Sequence, residues 1–138
     1  MFIKKKENEN QLENFIEITA LLIHAAKIDE NFSLDEEEII KKTLLKLGAE
    51  KDQLKDILEK SKKIEENSNQ ILLFTKKVKS MNDKKKIQII EALWQIIYSD
   101  KEADMYEANL MRRLGGLLYI DSNMMGAIKD KIKNKITE

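Results

Sequence analysis

The amino-acid sequence predicts an all-α fold, a compact bundle of about seven helices. Proline is absent and there are only four glycines, so the residues that usually interrupt helices and form tight turns are scarce. Leu, Ile, Lys, Glu and Ala, most of which are good helix formers, dominate the 138 residues. Apolar residues recur at three- and four-residue spacing through most of the chain, which is typical of helices with one buried face.

A pattern in the first half of the chain recurs 71 residues later, as the pair Asp29 and Asp100 illustrates. In both places an apolar run ends in Asp, and a Glu opens a second apolar run seven residues further on, at Glu36 and Glu107. Apolar positions that match at the same offset include Ile18 and Ile89, Leu22 and Leu93, Ile39 and Leu110, Leu47 and Leu118, and Ile57 and Ile128. The recurrence predicts a duplicated helical unit, and therefore an internal pseudo-two-fold repeat.

The first unit, about residues 12–61, divides into three predicted helices. The first runs from about residue 9 to residue 28, because Phe15, Ile18, Leu22 and Ala25 form an apolar stripe at helical spacing. The second covers about residues 34–47, and Gly48 stands where a left-handed C-terminal cap is expected. A short third helix covers about residues 51–61.

The second unit, about residues 83–132, repeats this order after a connecting helix. The predicted elements of this half are the connecting helix at about 68–80, a helix from Asn82 to Tyr98, and two helices at about 105–118 and 122–136. Asn82 is the expected N-cap, because its side chain can accept a hydrogen bond from a free amide of the first turn. No flexible linker separates the units, so residues 1–138 are predicted to form a single domain.

Composition narrows the classes of protein to which the chain can belong. Hydrophobic residues make up 42% and charged residues 36%, which is too apolar for a disordered chain and too charged for a membrane protein. The 25 basic and 25 acidic side chains cancel, so no overall field attracts nucleic acid, and we expect no nucleic-acid partner. The longest apolar run, Ala20–Ala26, is far below the ~20 residues that span a bilayer. We therefore expect a cytoplasmic protein with no membrane insertion.

Few residue types with catalytic chemistry are available. Cysteine is absent, which excludes thiol catalysis, thiolate zinc sites and disulfides. His24 is the only histidine, so a Ser/His/Asp triad or a His-rich metal site has at most one imidazole to use. A hydrolase would need Asp100 and Glu107 to act as acid and base or as ligands of a catalytic metal. We expect no enzymatic activity.

The two acidic loops are the part of the sequence that most suggests chemistry. Asp29 and Asp100 are predicted at helix C-termini, where the macrodipole is negative and a carboxylate costs about 0.3–1 kcal/mol. Hydrogen bonds from the amides of the following loop, or a bound cation, would compensate. The segments that begin at Ser33 and Asp104 both fit a capping box with the Glu three residues on, so capping alone explains Glu36 and Glu107.

A divalent-cation site is the alternative to capping. The second loop offers four carboxylates in eight residues, and alternate positions of a tight loop can direct oxygens at one hard cation. The candidate ligands are Asp100, Glu102, Asp104 and Glu107 in the second loop, and Asp29, Asn31 and Glu36 in the first. The first set carries less charge, so we expect stronger binding in the second. The spacing is too short for an EF-hand.

These residues resemble the TerB-like (tellurite resistance protein B) family. The resemblance rests on the run from Leu93 to Asp100, followed by Glu107 and an apolar helix with two arginines, and it covers about residues 12–132. It implies a compact all-helical domain with internal pseudo-symmetry and a role in stress responses through metal or protein contacts. The acidic positions of the family fall on Asp29, Glu36, Asp100 and Glu107. Glu30 and Lys101 stand where family members usually have Gly.

The sequence thus favours a non-enzymatic TerB-like module that binds an unidentified protein partner or a divalent cation in a tellurite-type stress response. No other cofactor is implied, and the oligomeric state is left open. The alternative is a purely structural helical interaction domain, in which the acidic residues cap helices and bind no metal.

Overall fold

The computed structural model describes residues 2–27, 33–67, 71–100 and 105–137. Within these ranges the chain forms seven α-helices and no strand, as the sequence predicts. The helices are α1 (Phe2–Ala26), α2 (Leu34–Leu47), α3 (Leu54–Glu66), α4 (Ile71–Lys79), α5 (Asp83–Ile97), α6 (Met105–Leu117) and α7 (Ser122–Thr137). Short 3₁₀ turns precede α3 and follow α5.

Two helices are longer than predicted. Helix α1 begins at Phe2 rather than near Glu9, because the charged residues between them are good helix formers and include no residue that stops a helix. Helix α3 continues past Ser61 to Glu66 for the same reason. Although α1 has 25 residues, no helix in the described ranges is both long and apolar enough to cross a membrane.

The predicted caps at three helix ends are confirmed. Ser33 precedes α2 in extended conformation, and Asn82 precedes α5 and accepts a hydrogen bond from the Lys85 amide at 2.9 Å. Gly48 ends α2 with a φ of 111°, a left-handed conformation that glycine adopts without Cβ strain. These short-range signals fix the bounds of α2 at the predicted residues.

Helices α1 and α5 form the centre of the bundle. Helix α1 packs against α3, α4 and α5, whereas α5 also packs against α2 and α7. Their apolar stripes are fully buried, and the residues with no exposed surface include Ile18, Leu21, Leu22, Ile89, Ile90 and Leu93. Each such side chain contributes about 1.5–3 kcal/mol through burial, so the burial of these two stripes is a main source of the stability of the fold.

The helix bounds repeat at the 71-residue offset. Helix α6 begins at Met105 and α2 at Leu34, and α6 is followed by a second left-handed residue, Tyr119, which matches Gly48. The hydrogen bonds of these two caps also correspond, since the Ile120 amide donates to the Gly115 carbonyl as Ala49 donates to Leu44. That the halves arose by duplication, with units at about 12–61 and 83–132, stays a prediction.

Candidate functional site

The predicted acidic loops fall only partly within the described residues. Asp29, Asn31, Glu102 and Asp104 lie outside them. Asp100 ends the 3₁₀ turn that follows α5, and Glu107 is the third residue of α6, so both lie at the helix ends where the sequence predicted them. In the described part of the chain, no group of three or more His, Cys, Asp or Glu side chains is arranged to hold a metal ion.

Glu36 is the one predicted ligand whose side chain the structure describes, and it serves as a helix cap. Its carboxylate accepts a hydrogen bond from the Ser33 amide at 2.9 Å, while the Ser33 hydroxyl accepts one from the Glu36 amide at 3.1 Å. Only 3% of Glu36 is exposed. This reciprocal pair is the capping box that the sequence predicted for α2, and it gives Glu36 a structural role that needs no ion.

A second polar cluster ties α1 to α3. The Glu65 carboxylate, on α3, lies 2.7 Å from the Lys27 ammonium and 3.5 Å from Nδ1 of His24, both at the end of α1. Glu65 is buried, so the pair is better shielded from solvent than an exposed ion pair. The sequence does not single out Glu65, because the contact joins residues 38 positions apart.

A groove between α6 and α7 is the clearest concave surface with an apolar floor. It encloses about 410 Å³. The floor and inner walls are formed by Trp94, Met111, Gly115, Gly116, Met125 and Gly126. Three of the four glycines of the chain therefore line one groove. A volume of this size lies in the range of natural ligand sites.

The glycines determine the shape of the groove. A Cβ atom on Gly115 would lie 3.3 Å from Cγ of Met125, so the missing side chain makes room for the Met125 side chain. A Cβ on Gly116 or Gly126 would meet no atom within 4 Å. The helix surface is therefore open at these two positions, and a ligand could approach the backbone there.

Trp94 joins this groove to the core. It is 4% exposed, its ring stacks on Tyr98 with 5.8 Å between centroids, and the Lys129 ammonium lies 5.6 Å from the indole centroid. The indole Nε1 is buried and has no hydrogen-bond partner among the described residues. Indole donors usually find a partner when buried, so this N–H is an unsatisfied donor of the core beside the groove.

The walls of the groove carry positive charge. Arg112 lies on α6 and Lys129 on α7, and both line the groove. Neither has a carboxylate partner within the described ranges. The chain has no net charge, so these two cations give the groove a local positive excess.

A groove between α2 and α3 occupies the corresponding place in the first half, with different chemistry. It is larger, about 770 Å³, and its lining mixes lysines with Glu37, Glu38 and Glu59. Lys41, at the position that matches Arg112, lies 3.8–3.9 Å from two of these carboxylates. Leu44, Leu45 and Lys55 stand where the second half has Gly115, Gly116 and Gly126. The two grooves therefore lie between corresponding helices of the two halves, but the residues that line them differ.

Sequence reasoning did not identify the α6–α7 groove. Trp94, Met111 and Met125, which line it, are all buried, as apolar residues of a helix usually are. The available signal was the placement of three glycines within the last two helices, where a helix former would otherwise be expected.

Comparison with known proteins gives one match. The family model described as Tellurite resistance protein TerB matches residues 15–130, a range that begins within α1 and ends within α7. No curated protein matches the chain. No solved structure matches it.

Proposed function

The chain belongs to the tellurite resistance protein TerB family, and from this premise we propose that it is a non-enzymatic module that binds a partner protein. The proposed setting is a tellurite-type stress response in the cytoplasm, and the proposed binding surface is the α6–α7 groove. The observation that carries the proposal is the groove itself, in which glycines leave the floor open beside a buried indole. A concave groove of this volume with a mainly apolar lining is the default candidate for a binding site.

The roles of the polar side chains support a binding function over catalysis. His24, the only imidazole of the chain, faces Glu65 at the end of α1, and Glu36 caps α2. Each of these groups has a structural contact that accounts for its position. General acid or base catalysis would instead need such a group within hydrogen-bond reach of a substrate in a cleft.

Site-specific photo-crosslinking in cells tests the proposal. Ser122 lines the α6–α7 groove, and Lys51, at the matching position, lines the α2–α3 groove. A photoreactive amino acid in place of Ser122 should give a discrete covalent adduct with one protein, identified by mass spectrometry. The same residue at Lys51 should not give this adduct.

A groove-filling substitution provides the second arm of this experiment. Gly116→Leu should abolish the adduct formed from position 122, because the leucine side chain would occupy the open floor. Ala127→Leu places the same leucine side chain at an exposed position of α7 outside the groove and should leave the adduct intact. Equal adducts from positions 51 and 122, or an adduct that survives Gly116→Leu, would contradict the proposed surface.

Binding of a divalent cation at the second acidic loop is the alternative function. It is favoured by the position of Asp100 at the C-terminal end of α5, where the helix dipole is negative and attracts a cation. Glu107, on the first turn of α6, closes the same loop. Calorimetry with calcium, magnesium or zinc should give heat that falls in an Asp100→Asn, Asp104→Asn double variant. An absence of heat at millimolar ion would end this alternative.

A further inference from the structure

We propose that the occupant of the α6–α7 groove is an acidic amphipathic helix of another protein. This inference rests on the proposed partner-binding function and adds the chemistry of the partner. It follows from the apolar floor and from the cation on each wall.

The floor selects an apolar face. Met111 and Met125 are buried at the base of the groove beside Trp94, and methionine side chains adapt their shape to different apolar partners. Gly116 and Gly126 leave room above the helix backbones. An open groove between two helices is the usual seat of an amphipathic helix, which inserts residues spaced three and four apart.

The two cations of the groove favour a partner helix that carries carboxylates on both sides of its apolar face. Arg112 and Lys129 belong to different helices, so they lie on opposite walls of the groove. A small ligand with a single anionic head group would neutralise one of them. A helix with acidic residues on both flanks of its apolar stripe would pair with both, which favours this occupant.

Trp94 lines the groove and is the only tryptophan of the chain, so a change in its fluorescence reports occupation of the groove.

The α2–α3 groove gives an internal contrast. Its lining carries five lysines and three glutamates, the same net charge as the α6–α7 groove, but an acidic helix would meet carboxylates there that the α6–α7 lining lacks. It should therefore not bind the same partner, although it occupies the corresponding place in the other half of the chain.

Titration of the full chain with synthetic peptides tests the inference. The probe is a helical peptide of about 18 residues, with a stripe of Leu, Ile or Phe flanked by Glu, and its analogues carry Gln or Lys in place of Glu. Binding is read by Trp94 fluorescence and by the anisotropy of a labelled peptide. The Glu peptide should bind, the Gln analogue should bind about tenfold more weakly, and added salt should weaken only the Glu peptide.

Variants of the chain locate the binding. The double variant Arg112→Gln, Lys129→Gln should lower affinity for the Glu peptide about tenfold. The control Lys41→Gln, Lys55→Gln removes the same charge from the α2–α3 groove and should leave affinity unchanged. Gly116→Leu should abolish binding while circular dichroism stays unaltered, since leucine favours helix more than glycine does.

Any of the following outcomes would overturn the inference. Equal binding of the Glu and Gln peptides would mean that only the apolar floor contributes, and preference for the Lys peptide would reverse the predicted charge. Self-association of the chain that is lost in Gly116→Leu would make a second copy the occupant. If no peptide binds while the crosslink from position 122 persists, the acidic helix is wrong and the proposed function stands. If position 122 gives no crosslink to any protein, the proposed function is wrong, whatever the peptides do.

Discussion

Tyr119 ends helix α6 in the left-handed conformation in which Gly48 ends α2, with φ angles of 57° and 111°. The residue after each donates its amide to the carbonyl five positions earlier, at 2.9 Å in both caps. A left-handed conformation is strained for a residue with a Cβ atom, so the hydrogen bonds of the cap and the packing beyond it must hold Tyr119 there. Backbone hydrogen bonds, rather than contacts of the Tyr119 side chain, therefore determine the conformation of the chain after α6.

This relationship predicts opposite effects of two substitutions. Gly48→Ala should lower the free energy of unfolding by about 1 kcal/mol, because alanine resists the left-handed conformation. Tyr119→Gly should raise the midpoint of urea unfolding, because strain is relieved. A lower midpoint for Tyr119→Gly would mean that the contacts of its side chain outweigh the strain.

The capping box of α2 predicts a measurable loss when either member is truncated. Ser33→Ala and Glu36→Ala should each lower the free energy of unfolding by about 1 kcal/mol, since each removes a hydrogen bond to an otherwise free amide. Urea unfolding measures both. The double variant should cost less than the sum of the single variants, because the two bonds support each other. Strict additivity would argue against a reciprocal box.

The second acidic loop allows a test between capping and cation binding. If Glu107 acts only as a cap, Glu107→Ala should lower the melting temperature by the same amount with and without a chelator. If the loop binds a divalent cation, the loss should be larger when calcium or magnesium is present, because the bound ion stabilises only the folded state. Differential scanning calorimetry with each ion distinguishes the two cases.

The buried pair between α1 and α3 predicts a difference between two ion pairs of similar geometry. Glu65→Gln should lower the free energy of unfolding by about 1–2 kcal/mol, since it leaves Lys27 without a charged partner at a shielded site. Lys60→Gln, which breaks an exposed pair with Asp56 at 3.1 Å, should cost less than about 0.5 kcal/mol. Equal costs would show that solvent screens both pairs alike.

Tyr119 also predicts a titration. A hydrogen bond with Lys79 and the charge of that ammonium, 4.4 Å from the ring centroid, lower the pKa of the phenol below 10.0. Because the folded state releases this proton more readily than the unfolded chain, the pKa shift adds stability only as the pH rises through the lowered pKa, and this contribution is complete above 10.0. Lys79→Met should return the pKa to its usual range, as followed by phenolate absorbance. An unchanged titration would exclude the contact.

Local signals predicted much of the fold. The bounds of α2, the N-cap at Asn82 and the glycine cap at Gly48 follow from side-chain hydrogen bonds and φ preferences that act within a few residues. The resemblance to the TerB family is confirmed by the match over residues 15–130. The predicted start of α1 near Glu9 and end of α3 near Ser61 were wrong, because apolar periodicity ends before helix-forming charged residues do.

The candidate site was less accessible to sequence reasoning. A Glu that caps a helix and a Glu that binds an ion leave the same pattern in the sequence. The structure shows that Glu36 is a cap. For Glu107, helix capping and cation binding are the two alternatives that the Glu107→Ala experiment distinguishes.

By itself, the sequence determined that the chain is helical, where most of its helices begin and end, and which stripes of α1 and α5 are buried. These properties depend on periodicity and on contacts within one or two turns. Only the tertiary structure decided that Glu65 meets Lys27 and that Gly116 and Gly126 open a groove beside Trp94. A missing side chain creates a groove only in relation to the helix packed beside it, and the distance between helices is set by all of their contacts together.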